Sequence, residues 1–107
     1  MSLTGETLKG DFLLFQPYTI KCTVTLSDGT DMATATTTTD NCLIKSGAST
    51  LETIDLTAGA GTSSMYFTAA TYDLEGTVVI GADTYTGTGT VVVSNADAEQ
   101  TINLIKQ

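Results

Sequence analysis

Residues 71–105 read TYDLEGTVVIGADTYTGTGTVVVSNADAEQTINLI. From Tyr72 to Ile105 the pattern is that of three antiparallel strands joined by two tight connections. Gly76 and the pair Ala82-Asp83 are expected to punctuate it. Val78 and Ile80 alternate with Thr77 and Val79. Tyr85, Val91 and Val93 share one face, with Gly87 and Gly89 between them, and Thr84, Thr86, Thr88 and Thr90 share the other. Ile102 and Leu104 alternate with Thr101, Asn103 and Ile105. A period of two arises when one face of a strand meets the core and the other meets water. The stretch decides the fold class and leaves the chemistry open.

The same period recurs upstream. In Thr19–Ser27, Ile20, Cys22, Val24 and Leu26 point one way, and Thr19, Lys21, Thr23 and Thr25 the other. Asp28-Gly29 follows, a strong hairpin signal, so Met32–Thr39 is expected to return antiparallel to that strand. Asp40-Asn41 reads as a turn, Cys42–Lys45 as a short strand and Ser46–Ser49 as a loop. Neither parity of Leu51–Leu56 is clean. The small residues of Ala58–Ser64 predict a flexible loop, the most mobile internal segment. Met65–Thr71 suits a further strand, with Ala69-Ala70 open to a helical turn. Phe12–Phe15 is a short apolar run that Pro17 ends, an edge strand or flap over the core. Residues 1–11 are expected to be frayed, and 12–107 to form one domain.

The chain has 107 residues, a length that fits one domain with a single core. Thr and Gly are plentiful, and Thr is stiff at its branched carbon and favours strands. The expectation is an all-β protein, an antiparallel Ig-like or prealbumin-like β-sandwich of about seven or eight strands. The net charge is −8, with four lysines, no arginine and no histidine. Such a surface repels phosphate backbones and anionic membrane surfaces, so nucleic acid is not an expected partner. No apolar run approaches the ~20 residues that span a bilayer, so membrane insertion is not expected. Met1-Ser2-Leu3 leads into polar residues without the basic and apolar blocks of a signal peptide. That start fits a truncated or processed chain.

The absence of histidine removes the usual general base of a Ser or Cys triad. Two cysteines without histidine do not make a four-ligand zinc site. Asp73 with Glu75, and Asp97 with Glu99, are paired carboxylates expected at turns, where acids are ordinary. Asp28 with Asp31, or Asp73 with Glu75, offer oxygens to calcium, but no calcium-loop motif is complete and solvated turn acids are the preferred reading. No enzyme, cofactor or metal site is therefore expected. Cys22 and Cys42 are a candidate disulfide if the protein is extracellular, or else two buried thiols. Gly59, Gly61, Thr62 and Ser63 are the candidate binding loop.

TVVIGA, the Tyr85 strand with its Gly-Thr alternation, GTVVVS and the closing TINLI together resemble carboxypeptidase-regulatory-like and collagen-adhesin B-type modules. The resemblance covers Gly76–Ile105 best and TVTLSDGT (Thr23–Thr30) more loosely. The usual Gly-Tyr pair is replaced by Asp83-Thr84-Tyr85. These modules are small prealbumin-like sandwiches repeated in surface proteins. The resemblance implies a non-enzymatic structural or adhesion module of a secreted or surface-exposed assembly, meeting neighbouring protein domains or subunits. Alternatives are a glycan- or peptide-binding module that uses its end loops, and a phage or capsid structural domain. The resemblance also raises a Lys–Asn isopeptide bond, with Lys9 or Lys21, Asn103, and Glu75 or Glu52 as candidates. Parity places Lys21 and Asn103 outward, against that bond.

Overall fold

The computed structural model describes residues 18–107, which form seven strands and no helix. They are β1 (Ile20–Leu26), β2 (Thr39–Ser46), β3 (Ser49–Asp55), β4 (Ala60–Thr62), β5 (Ala70–Ile80), β6 (Asp83–Val93) and β7 (Ala98–Lys106). Their order across the sheet is β3-β2-β5-β6-β7-β1-β4, and the sheet curls into a half-barrel. The all-β class and the strand number match expectation. The pairing is not wholly antiparallel, because β1 runs parallel to β7 from Ile20–Ala98 to Leu26–Leu104. Residues 1–11, Phe12–Phe15 and Pro17 lie outside the described residues.

The longest pairing joins β5 to β6 from Ala70–Val93 to Ile80–Asp83. Its two-residue connection is Gly81-Ala82, and Gly81 takes a φ of 61°. Glycine at the first central position suits the twist of a two-residue hairpin. Gly76, expected as punctuation, lies inside β5 opposite Gly87. An added Cβ at Gly76 would lie 3.0 Å from Leu104, and one at Gly87 only 2.7 Å from the Asn103 carbonyl oxygen. Both glycines therefore let the opposite wall of the half-barrel approach, which is a packing role and not a turn role.

Alternation sets the core. Ile20, Cys22, Val24 and Leu26 of β1 face Cys42 and Ile44 of β2, Leu74 and Val78 of β5, Tyr85, Val91 and Val93 of β6, and Ile102 and Leu104 of β7. Ile54, Leu56, Met32, Phe67 and Tyr72 complete the same cluster, with Phe67 and Tyr72 packed edge to face at 5.2 Å. Burying each large side chain is worth about 1.5–3 kcal/mol, so this row supplies the main favourable energy of the fold.

Four local expectations are corrected. Asp28-Gly29 makes a turn, with the Gly29 N–H on the Leu26 carbonyl at 3.0 Å, but no hairpin follows. Residues 32–38 are not a strand, and β1 pairs with β7 and β4 instead. An alanine–threonine run offers too little apolar surface to compete with the β7 partner, whose Ile102 and Leu104 are buried beside β1. Asp40 and Asn41 are not a turn; they lie in β2 opposite Val78 and Thr77. Ala58–Ser64 is not a loop throughout, because Ala60–Thr62 is the edge strand β4. Finally, of Met65–Thr71 only Ala70 and Thr71 belong to a strand, with Phe67 forming a single bridge to Tyr18.

Candidate functional site

Strands β2, β5 and β6 present a broad outer face. Thr84, Thr86, Thr88 and Thr90 occupy the outward parity of β6, as their alternation predicts. Their partners across β5 are Val79, Thr77, Glu75 and Asp73. Lys45 of β2 stands beside Asp73 in register, and its Nζ lies 3.8 Å from Glu75 Oε2. Asp73 and Glu75 are thus mid-strand residues of a sheet face, not the turn acids their spacing suggested.

The face dips into a shallow dish of about 300 Å³ lined by Lys45, Gly47, Asp73, Glu75, Thr88 and Thr90. It combines an ammonium donor, two carboxylate acceptors and two hydroxyls. Such a set can hydrogen-bond a polar chain or a polyhydroxylated ligand. The sequence did not reveal it, because its members come from three strands whose register is non-local.

The residues expected to form a binding loop are held in place. Thr57 and Ala60 exchange backbone hydrogen bonds across a turn at Ala58 (φ 52°) and Gly59 (φ 80°). The Gly59 carbonyl accepts from the Val24 N–H at 2.7 Å, and its own N–H donates to Asp40 Oδ2 at 3.1 Å. An added Cβ at Gly61 would lie 2.9 Å from Ile54 and Leu56 side chains. Ser63 is buried, donates its N–H to the Ile20 carbonyl at 2.8 Å, and accepts the Ile20 N–H on Oγ at 3.0 Å. Thr62 is exposed and borders a second depression with Thr19, Lys21, Asp97 and Glu99.

The edges of the sheet are modified as well. The register of β3 on β2 shifts between Ile44–Glu52 and Lys45–Thr50, which leaves Leu51 as an extra residue in a bulge. The Glu52 carboxylate accepts from Ser64 N–H (2.9 Å), Ser64 Oγ (3.0 Å) and Met65 N–H (3.0 Å), tying the chain after β4 to this edge. Bulges and covering segments discourage strand addition at an edge.

Tyr85 and the Asp28 turn meet at one end. The Tyr85 hydroxyl donates to Asp28 Oδ2 at 2.7 Å, and Thr30 donates its N–H and Oγ1 to Oδ1 at 3.0 and 2.7 Å. The Tyr85 bond and then the two Thr30 bonds draw the Asp28 carboxyl down to about 2. The same contact raises the Tyr85 phenol above its usual value. Tyr85 and Tyr72 belong to the core, as does Phe67, whereas Tyr66 is exposed. Lys21 and Asn103 face outward, the former near Glu99 at 4.0 Å and the latter accepting from Thr25 Oγ1 at 3.1 Å.

Cys22 and Cys42 are free thiols with no exposed surface, and they lie against each other in the core. Asp40, two residues before Cys42, is half-buried. Desolvation raises its carboxyl, the Gly59 N–H lowers it in part, and its Oδ1 is buried without a hydrogen-bond partner. Among the described residues no three His, Cys, Asp or Glu side chains converge on a metal position. No family model matches the chain, and no curated protein is significantly similar to it in sequence.

Proposed function

We propose that the chain is a non-enzymatic structural or adhesion module of a secreted or surface-exposed assembly, meeting neighbouring domains or subunits through its sheet face. The observation that carries this reading is the outer surface of β5 and β6, where Thr77, Thr84, Thr86, Thr88 and Thr90 form a broad hydroxyl-bearing face. Such a face suits contact with another surface. The bulge and clamp on β3 direct assembly away from that edge. The net charge of −8 supports a solvated, surface-exposed setting.

The prealbumin-like or Ig-like sandwich is part of the same proposal. Its support is the limited register between β6 and β7, confined to Tyr85–Lys106 and Thr86–Ile105, with inward side chains of both strands meeting in the shared core. A second reading, a glycan- or peptide-binding module, is favoured by the dish that brings Gly47 together with Lys45, Asp73 and Glu75.

Sizing chromatography combined with a glycan array separates the two. The structural reading expects no glycan retention, and self-association or capture of an adjoining domain that Thr86→Lys with Thr88→Lys abolishes. Specific glycan retention by a monomeric protein, lost in Lys45→Ala, overturns it in favour of the binder.

A further inference from the structure

We propose that Cys22 and Cys42 are the two halves of an intramolecular disulfide that clasps β1 to β2 across the core, closing when the protein folds in the presence of a disulfide oxidant. This goes beyond the proposed function and does not depend on it.

The geometry comes from two independent sets of contacts. Cys22 is in register with Gly61 of β4, and Cys42 with Ile54 of β3. The Gly61 Cβ position lies 2.9 Å from Ile54, so the strand neighbours of the two cysteines touch. On its other side Cys42 is in register with Gly76 of β5. The Gly76 Cβ position lies 3.2 Å from Val24, which shares the inward face of β1 with Cys22. Two glycines thus thin the wall beside the sulfurs. Opposed β layers pack about 10 Å apart when ordinary side chains fill the gap. A disulfide needs Cα atoms about 4.4–6.8 Å apart, and close approach at glycine is how two layers reach that separation.

The ionisation of the pair agrees. The thiol–thiol contact is the largest influence on both groups, lowering Cys42 and raising Cys22, with burial adding to the rise at Cys22. While the chain is folding or transiently open, one of the two thiols loses its proton, and its thiolate attacks a sulfur of a small disulfide such as oxidised glutathione and releases one glutathione thiolate, leaving a mixed disulfide on that cysteine. The other cysteine then loses its proton, its sulfur displaces the second glutathione thiolate, and the Cys22–Cys42 bond forms. Two protein thiols are oxidised, one glutathione disulfide is reduced to two thiols, and the two protons pass to water or to those thiolates.

Both sulfurs are fully buried, so the native protein shields them from reagent. Closure belongs to folding or to transient opening, and once made the bond is equally shielded from reductant. No local element favours it, because β1 and β2 are not neighbours in the sheet and the two sulfurs meet only across the core.

The test refolds reduced, denatured protein in an equimolar mixture of reduced and oxidised glutathione, then adds N-ethylmaleimide in denaturant. Trypsin leaves both cysteines in one peptide, since Lys21 and Lys45 bracket them, so intact mass is the readout. The expected product is a monomer with no adduct, two hydrogens lighter than the reduced chain. The same mixture held in denaturant throughout is expected to give mostly glutathione adducts. The bridged form is expected to melt at a higher temperature, a shift that is missing when the wild type is refolded in dithiothreitol and missing in Cys22→Ala. Two maleimide or glutathione adducts on the refolded chain, a cross-linked dimer, or equal bridging in denaturant would each overturn the proposal. The wild-type mass result needs no variant to fold.

Discussion

The β5–β6 hairpin and the β1–β4 wall are held by different means. In the hairpin, register follows from a two-residue turn and runs without a break to Ala70–Val93. Its partners are near in sequence, so little chain entropy is spent in closing the loop. In the wall, β1 lies parallel to β7, across separations such as the 78 residues between Thr25 and Asn103. Side chains reinforce that distant pairing. Asp97 accepts the Thr19 N–H at 2.9 Å, and Ser63 takes the Ile20 N–H. Local strands can rely on turns, whereas a long-range strand gains specificity from side chains that satisfy backbone donors the ladder leaves unpaired. Contacts at such separation also form late and slowly in folding.

The largest effects are expected where the two regions share the core. Leu104 has no exposed surface and meets both β1 and the glycines of β5 and β6. Leu104→Ala should cost about 2–5 kcal/mol by urea unfolding. Ile105, next in sequence but outward, should lose less than about 0.5 kcal/mol on conversion to alanine. Equal costs would mean that β7 does not hold its register.

Two glycines of one strand give the next contrast. Gly87→Ala places a Cβ 2.7 Å from a backbone oxygen of β7, and should cost about 1–3 kcal/mol. At Gly89 the nearest atom is a side-chain carbon of Ile102 at 3.6 Å, an ordinary contact. Gly89→Ala should be neutral or slightly stabilising in the same urea titration, because it reduces the freedom of the unfolded chain. If both cost the same, glycine in β6 serves strand flexibility and not the approach of β7.

Ser63 tests the side-chain clamps. Ser63→Ala leaves the buried Ile20 N–H without its partner, which should cost about 1–3 kcal/mol. Hydrogen exchange should quicken at Ile20 and Gly61 and stay unchanged at Val78 and Val91. In the wild type, amides of Ala60–Ser63 should exchange far more slowly than those of residues 94–97. Fast exchange there would restore the mobile loop that its composition suggests.

These contrasts explain what was legible. The alternation of β5, β6 and β7 depends on burial of one face, and a sequence displays that directly. So does the inward row of Ile20, Cys22, Val24 and Leu26. The partner of β1 was not legible, because Asp28-Gly29 has the residues of a hairpin turn while the better apolar partner lies near the other end of the chain. Asp40 and Asn41 look like a turn by type, yet the sheet holds them opposite Val78 and Thr77. Ala58–Ser64 looks unanchored because its anchors are remote: Asp40, Val24 and Ile20. The dish of Lys45, Asp73, Glu75 and Thr88 escaped for the same reason, since only register assembles it. The Cys22–Cys42 pairing is legible only as the inward parity of Cys22 and the place of Cys42 at the start of a strand about one hairpin later, and the glycines beside the two sulfurs are visible only with the walls in place.

The smallest expected effect again sets one end of the molecule against another, through two aspartates of opposite response. Asp28 is drawn down to about 2 by Tyr85 and Thr30, against an ordinary 3.8. Its folded form binds the proton less well than the unfolded chain does. The stabilisation it provides is therefore present above about pH 4 and is lost as pH falls through 2. Asp40 is raised by burial. Its folded form holds the proton more tightly, so ionisation works against the fold. Its effect favours the native state below the ordinary 3.8 and declines as pH rises through the elevated folded value. Asp28→Ala should shift the melting temperature down at pH 6 and hardly at all at pH 2, where the wild type has already lost the contribution. Asp40→Asn should leave the melting temperature nearly unchanged at pH 3 and raise it at pH 6, because the amide keeps the Gly59 contact without a buried charge. Melting curves of the two variants over pH 2–7 should therefore diverge from wild type in opposite directions as pH rises. Parallel curves would show that the Tyr85 contact does not hold Asp28 ionised, or that Asp40 is solvated and the corner at Gly59 is open.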